Sequence, residues 1–252
     1  MATGIGCGIS SVFETRVGSS ALPYANVYSV DFKSISSQYL AFPTTPLLGT
    51  GGTGAWTISI WFNTDKLVGI VQRIMSINQG GGGDLLQLYI NSSDAINISG
   101  AWTDTYSTFP LTMGTWYNVI YRYNGNAATP NNAGFVMNGT NINNVSNKTW
   151  AQVGVTGNAF IGRNSSGGYF NGYLDEASIW DSYLTDAECI ELYNAGTPID
   201  LATSSMSANL QHWWRMGDPM GTASYDTIVD AKGSIDLTMT NMVASNIQTN
   251  TP

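Results

Sequence analysis

The chain has 252 residues, a net charge of −8 and a pI near 4.3, with 10% charged and 43% hydrophobic residues. That length holds one large β domain or two small ones, with a core that needs no disulfide staples. An acidic chain without a basic patch is repelled by phosphate backbones, which excludes nucleic acid as a partner, and no apolar run approaches the length of a membrane span.

The first 27 residues carry Ile5, Ile9, Val12, Phe13, Val17 and Leu22 at irregular spacing. So few apolar groups in no period cannot offset the entropy of ordering the segment alone. Residues 1–27 are therefore expected to form an assembly arm that docks on a neighbouring subunit or a particle shell. The opening "MATGIGCGISSVFETRVG" lacks a basic start and a continuous apolar stretch, so no secretion signal is read there. Cys7 and Cys189 form neither a disulfide framework nor a zinc pattern and are read as small apolar side chains.

From Tyr28 onward, period-two alternation dominates. In "AWTISIWFN", Trp56, Ile58, Ile60 and Phe62 share one face, with Thr57, Ser59 and Asn63 opposite. Trp61 interrupts the polar face, which predicts a strand covered on both sides. "DLLQLYIN" and "AINISGAW" follow, then "TWYNVIYRYNG", with Tyr117, Val119, Tyr121 and Tyr123 on one side and a turn at Asn124-Gly125. "GFVMNGTNI", "NAFIGR" and "YFNGYLDEASIW" continue the series. The glycine-rich "GTGGTG" and "NQGGGGD" precede neither Lys-Ser/Thr nor a helix, so they read as hairpin tips rather than phosphate loops. The Asn-x-Ser/Thr sequons at Asn91, Asn97, Asn138, Asn144, Asn147 and Asn164 read as chance matches in an Asn-rich chain. Many short strands at near-regular spacing predict an all-β, two-sheet antiparallel sandwich or jelly roll.

One helix interrupts the strands. The strand "GYLDEASIW" ends near Trp180, Thr185 reads as an N-cap, and Glu188 three residues later completes a capping box. Cys189, Ile190, Leu192 and Tyr193 form an apolar stripe, with Glu188, Glu191 and Asn194 facing away. Gly196 is expected to supply a left-handed C-cap and Pro198 to stop the helix, placing it near residues 186–195 at the rim of the sandwich.

Residues 170–196, "FNGYLDEASIWDSYLTDAECIELYNAG", resemble the closing segment of laminin-G-like, concanavalin-A-like jelly rolls. "YSVDFKSISSQYLAFP", "WTISIWFN", "TWYNVIYRYNG", "GFVMNGTNI" and "NAFIGR" resemble that family's strands in the family's order, so the likeness covers residues 28–196. "NLQHWWRMGD" and "GSIDLTMTNM" resemble elements that precede the first strand in many relatives. Residues 209–243 are accordingly expected to be permuted strands that complete one sandwich spanning 28–252, or that pack on a neighbour.

The resemblance implies three chemistries to weigh. Glucanases of this fold use an E-x-D-x-x-E strand, and no such run is present. Asp175 and Glu176 are adjacent, so in a regular strand they point to opposite faces and cannot form an acid/base pair. The expectation is that Asp175 accepts backbone hydrogen bonds while Glu176 meets solvent. His212, the single histidine, lies among aromatics and reads as a packed strand residue. No catalytic residue is assigned. Calcium binding, common at the rim in relatives, needs six to eight oxygens; Asp84, Asp94 and Asp104 lie in loops without a dedicated ligand spacing, so no metal site is assigned. Carbohydrate binding, the family's other frequent use, would draw on Trp102, Asp104 and Tyr106 in "SGAWTDTYSTF".

The start at Met1 without an export signal favours a complete, non-enzymatic phage virion protein: a decoration, fibre or appendage subunit in a homo-oligomer with other virion proteins, in contact with a host-surface glycan. The alternative is a carbohydrate-binding or adhesion module at a bacterial cell surface.

Overall fold

The computed structural model describes residues 24–46, 48, 54–67, 69–79, 83–100, 105–106, 109–126, 128–146, 158–218 and 225–252. In chain order the strands are β1 (Ser29–Phe32), β2 (Tyr39–Ala41), β3 (Trp56–Thr64), β4 (Gln72–Gln79), β5 (Gly83–Ile90), β6 (Ile96–Gly100), β7 (Thr105–Tyr106) and β8 (Trp116–Tyr123). They continue with β9 (Ala133–Met137), β10 (Thr140–Val145), β11 (Ala159–Ile161), β12 (Gly172–Trp180), β13 (Leu210–Trp214), β14 (Thr227–Ile228), β15 (Leu237–Thr240) and β16 (Ile247–Gln248). The helix α1 is Asp186–Tyr193.

Two antiparallel sheets form a jelly-roll-like sandwich. The first runs β10-β9-β8-β3-β12-β1-β16, with β13 also paired to β12; the second runs β14-β15-β2-β11-β4-β5-β6-β7. Alternation places Trp56, Ile58, Ile60 and Phe62 of β3 and Tyr117, Val119, Tyr121 and Tyr123 of β8 on the inner face of the first sheet. They meet Leu40, Met75, Ile77, Leu86, Leu88, Ile96, Ile98 and Ile161 from the second. Each fully buried side chain of this kind contributes about 1.5–3 kcal/mol. The last strands enter both sheets: β13 pairs with β12, β16 with β1, and β15 with β2. Trp214 of β13 packs edge-on against Phe42 and donates its indole N–H to the Ile235 carbonyl (2.7 Å).

The outer face of the first sheet is also apolar. Ile120, Val136, Trp180 and Trp213 project from it and are covered by Leu184, Cys189 and Leu192 at α1 and by Leu201 and Met206 beyond it. All nine residues of β3 are therefore buried, and Trp61 on its outer side stacks on Tyr193 of α1 at 5.7 Å. Arg122 reaches out from β8 into this layer, donates to the Leu184 carbonyl (2.6 Å) and pairs with Asp186.

At the start of α1, the Thr185 hydroxyl accepts the Glu188 N–H, and the Glu188 carboxylate accepts the Thr185 N–H (2.7 Å). Its other end departs from expectation. Asn194 (φ 43°) is the left-handed C-cap, and Gly196 (φ 97°) lies beyond it. Asparagine tolerates this conformation, and its amide donates to the Thr197 carbonyl (3.1 Å). Ile190 is 59% exposed rather than part of a buried stripe, because the cover rests on Cys189 and Leu192.

Candidate functional site

Asp175 and Glu176 sit where β12 changes partner. Its residues 172–174 pair with β1 and 177–180 with β13, which leaves a gap on that edge at 175–176. On the other edge, the register against β3 jumps from Asp175↔Trp61 to Ser178↔Ser59, so two residues of β12 oppose Ile60. This is a β-bulge, with Glu176 in the left-handed region (φ 46°). The extra residue breaks the period of two. Both carboxylates enter one polar cluster instead of facing opposite ways, and Glu176 is 4% exposed instead of solvated.

Every oxygen of the pair accepts a bond from the chain itself. Asp175 accepts the Glu176 N–H (2.8 Å) and the Asn26 amide (3.0 Å). Glu176 accepts the Tyr24 hydroxyl (3.2 Å) and the Trp213 indole N–H, with Arg215 at 3.6 Å. Asp218 accepts the N–H groups of Val27 (2.7 Å) and Tyr28 (3.1 Å), and Arg215 donates to the Ala25 carbonyl (2.6 Å). Burial raises Glu176 to about 7 against the opposing pull of Arg215 and the two side-chain donors. Burial, reinforced by the Glu176 charge, raises Asp175 well above the usual carboxylate range. The cluster ties residues 24–28 to β12 and β13; residues 1–23 of the expected arm lie outside the described residues.

His212 is likewise structural. It stacks on Trp214 (5.3 Å, 8°), and its Nδ1 lies 2.7 Å from Asp230. Burial acts to raise the Asp230 pKa, but bonds from His212 and the N–H groups of Trp213, Gly233 and Ile235 outweigh it and hold the group at about 2.

Of the sequence-predicted glycan residues, Trp102 and Asp104 lie outside the described residues, and Tyr106 stands on β7 opposite Asn97 of β6. Asp84 is on β5 opposite Asn78, and Asp94 accepts the Gly69 N–H in a turn (3.4 Å). Among the described residues, no group of three His, Cys, Asp or Glu side chains is placed to hold a metal ion.

A different set converges on the outer face of the second sheet. Leu40, Leu88, Ile98 and Ile161 point into the core, so Tyr39 (β2), Gln87 and Tyr89 (β5), Asn97 (β6) and Phe160 (β11) point out. After β11 the chain turns at Gly162, where φ is +89° and a Cβ would lie 2.6 Å from the Phe32 ring. Only glycine fits such a close approach. The turn delivers Arg163 and a tight hairpin closed by mutual bonds between Asn164 and Gly167 and anchored to β4 through Arg73 N–H to the Gly168 carbonyl (2.8 Å).

The Arg163 guanidinium lies over the rings of Tyr39 (4.8 Å), Phe160 (4.9 Å) and Tyr169 (5.2 Å). Arg73 lies over Tyr89 (4.4 Å) and donates to the Gln87 carbonyl oxygen, which also accepts the Asn164 amide (3.0 Å). The result is a continuous strip from Tyr89 through Arg73, Gln87 and Asn164 to Arg163 and its three rings. Tyr39, Arg73, Gln87, Arg163 and Tyr169 are half-buried, with surface left for a ligand. Sequence reading missed this set because its members come from five separated segments. The available signal was that Tyr39, Gln87 and Phe160 alternate with core residues and so face outward.

Residues 34–189 match the model of the Concanavalin A-like lectin/glucanases superfamily (Laminin_G_3). The chain belongs to this superfamily. No curated protein matches it. Among solved structures it is similar to a candidate carbohydrate binding protein from Bacteroides ovatus, with TM-score 0.63, 20% identity, and 86% of this chain and 59% of that one covered. It is also similar to the heptameric SAP-like pentraxin from Limulus polyphemus, with TM-score 0.51, 17% identity, and 67% of this chain and 82% of that one covered. At these identities the likeness shows the fold. The chain spans 59% of the length of the Bacteroides ovatus protein.

Proposed function

We propose that this superfamily member is a glycan-binding module that takes saccharide on the outer face of its second sheet. The observation that carries this reading is the strip itself. Half-buried tyrosine side chains, of the type on which a pyranose stacks, lie there with the half-buried amide of Gln87 and two guanidinium groups that suit its hydroxyls. The Bacteroides ovatus protein, whose description is that of a carbohydrate binder, supports the reading at the level of fold. Of the two roles the sequence suggests, the surface glycan-binding module is the one favoured by family and fold; the virion structural role gains no support from either.

The test is a glycan array followed by calorimetry on any ligand found. Tyr39→Ala and Tyr169→Ala should each weaken binding at least tenfold while leaving the fold intact by circular dichroism. Unchanged affinity in both variants would move the site elsewhere.

A further inference from the structure

We infer that the saccharide bound by this strip is acidic, carrying a carboxylate or a sulfate group; the inference rests on the glycan-binding reading above. Arg163 is the observation behind it. Its guanidinium donates to the carbonyls of Asn164 (2.7 Å) and Ser165 (3.1 Å) and to the Tyr169 hydroxyl (3.2 Å), all of them neutral. Three cations elsewhere in the fold have carboxylate partners: Lys33 meets Asp31 and Asp65, Arg122 meets Asp186, and Arg215 meets Glu176 and Asp218. Among the described residues, no ion pair involves Arg163. Among the described residues its positive charge is held in place by neutral acceptors, in a chain whose net charge is −8.

A guanidinium has five N–H donors, and three are engaged here, so two remain for a ligand. The three rings around it and its bonds to the hairpin hold it in position before any ligand arrives. A planar fork held this way matches the two oxygens of a carboxylate or sulfate, and partial burial makes the attraction stronger than in open water. Neutral sugars would leave that charge uncompensated. Arg73 lies on the other side of Gln87, whose carbonyl oxygen it shares with Asn164, so an acidic oligosaccharide crossing the strip would meet a second guanidinium.

The experiment is calorimetry on the full chain with four probes matched in length: a neutral gluco-oligosaccharide, an oligogalacturonate, a sulfated galactan oligosaccharide and a sialylated oligosaccharide. The expected result is binding of at least one acidic probe at least tenfold tighter than the neutral one, with affinity falling as salt rises from 50 to 500 mM. Arg163→Gln should remove that preference and Arg163→Lys should retain part of it. Because Arg163 also holds the hairpin, Arg73→Gln serves as the second variant and should weaken acidic binding at least threefold. Equal affinity for neutral and acidic probes would overturn the inference and leave the glycan reading standing. Failure of every probe, with a broad glycan array also blank, would overturn both.

Discussion

The two sheets use the same alternation and treat their outer faces in opposite ways. Outside the first sheet stand Ile120, Val136, Trp180 and Trp213, and the chain folds α1 and the segment after it back over them. Outside the second stand Tyr39, Phe160, Gln87, Asn97 and Arg73, joined by Arg163 and Tyr169 from the hairpin. An apolar outer face must be buried and becomes a second core; a polar, ring-bearing one can remain a surface. The ionisable side chains follow the same division. The Asp175–Glu176 cluster bonds inward to Tyr24, Asn26 and Trp213, whereas Arg163 is satisfied only by neutral groups and two N–H donors remain.

The comparison breaks most visibly if the cover is not a core. Trp180 is fully buried beneath it, so Trp180→Ala should cost about 3–5 kcal/mol in urea unfolding. Glycan affinity per folded molecule should stay unchanged. A loss under 1 kcal/mol would mean that the cover is loosely laid.

The carboxylate pair gives the next largest effect, and it depends on pH. The folded-state pKa of Glu176 lies at about 7, above its ordinary 4.5. Its contribution is therefore fully present below about 4.5 and is lost as pH rises through 7, by on the order of a few kcal/mol. Asp230 runs the other way: held at about 2, it stabilises above its ordinary 3.8 and is lost as pH falls through 2. Chemical melts from pH 2 to 9 should therefore weaken at both ends. Glu176→Gln should make the neutral limb shallower, leaving the part carried by Asp175, whose carboxyl is also raised by burial; a slope unchanged in this variant and in the Asp175→Asn, Glu176→Gln pair would show that the cluster is not the titrating unit.

A smaller effect sharpens the account of the cover. Thr185→Ala removes a hydroxyl that caps α1 and should lower stability by about 1 kcal/mol, read from thermal melts by circular dichroism. On the second sheet, Tyr169→Phe keeps the ring but removes one acceptor of Arg163. It should cost about 0.5–1 kcal/mol at most, since this face does not hold the fold together.

Much of the first sheet was legible in the sequence. Trp61 among the polar positions of β3 announced a strand buried on both sides, and Thr185 with Glu188 marked the helix start. The departures have local causes. Glu176 adopts a left-handed conformation with no glycine to mark it, so the bulge and its pooled carboxylates could not be seen in the residue order. Asn194 rather than Gly196 ends the helix because an asparagine can take the same conformation. The strip was hidden for a topological reason: β2, β4, β5 and β11 become neighbours only once the second sheet is ordered β2-β11-β4-β5. Sequence reading instead favoured Trp102, Asp104 and Tyr106, which are close in the chain.

The central claim, that the outer face of the second sheet is where saccharide docks, is tested most directly by amide NMR of the labelled protein during titration with an oligosaccharide it binds. The account predicts progressive shifts confined to residues near 39, 73, 87–89 and 160–169, with little change at Tyr24, Glu176 and Trp213. Shifts centred on the Asp175–Glu176 side, with the strip unmoved, would contradict it.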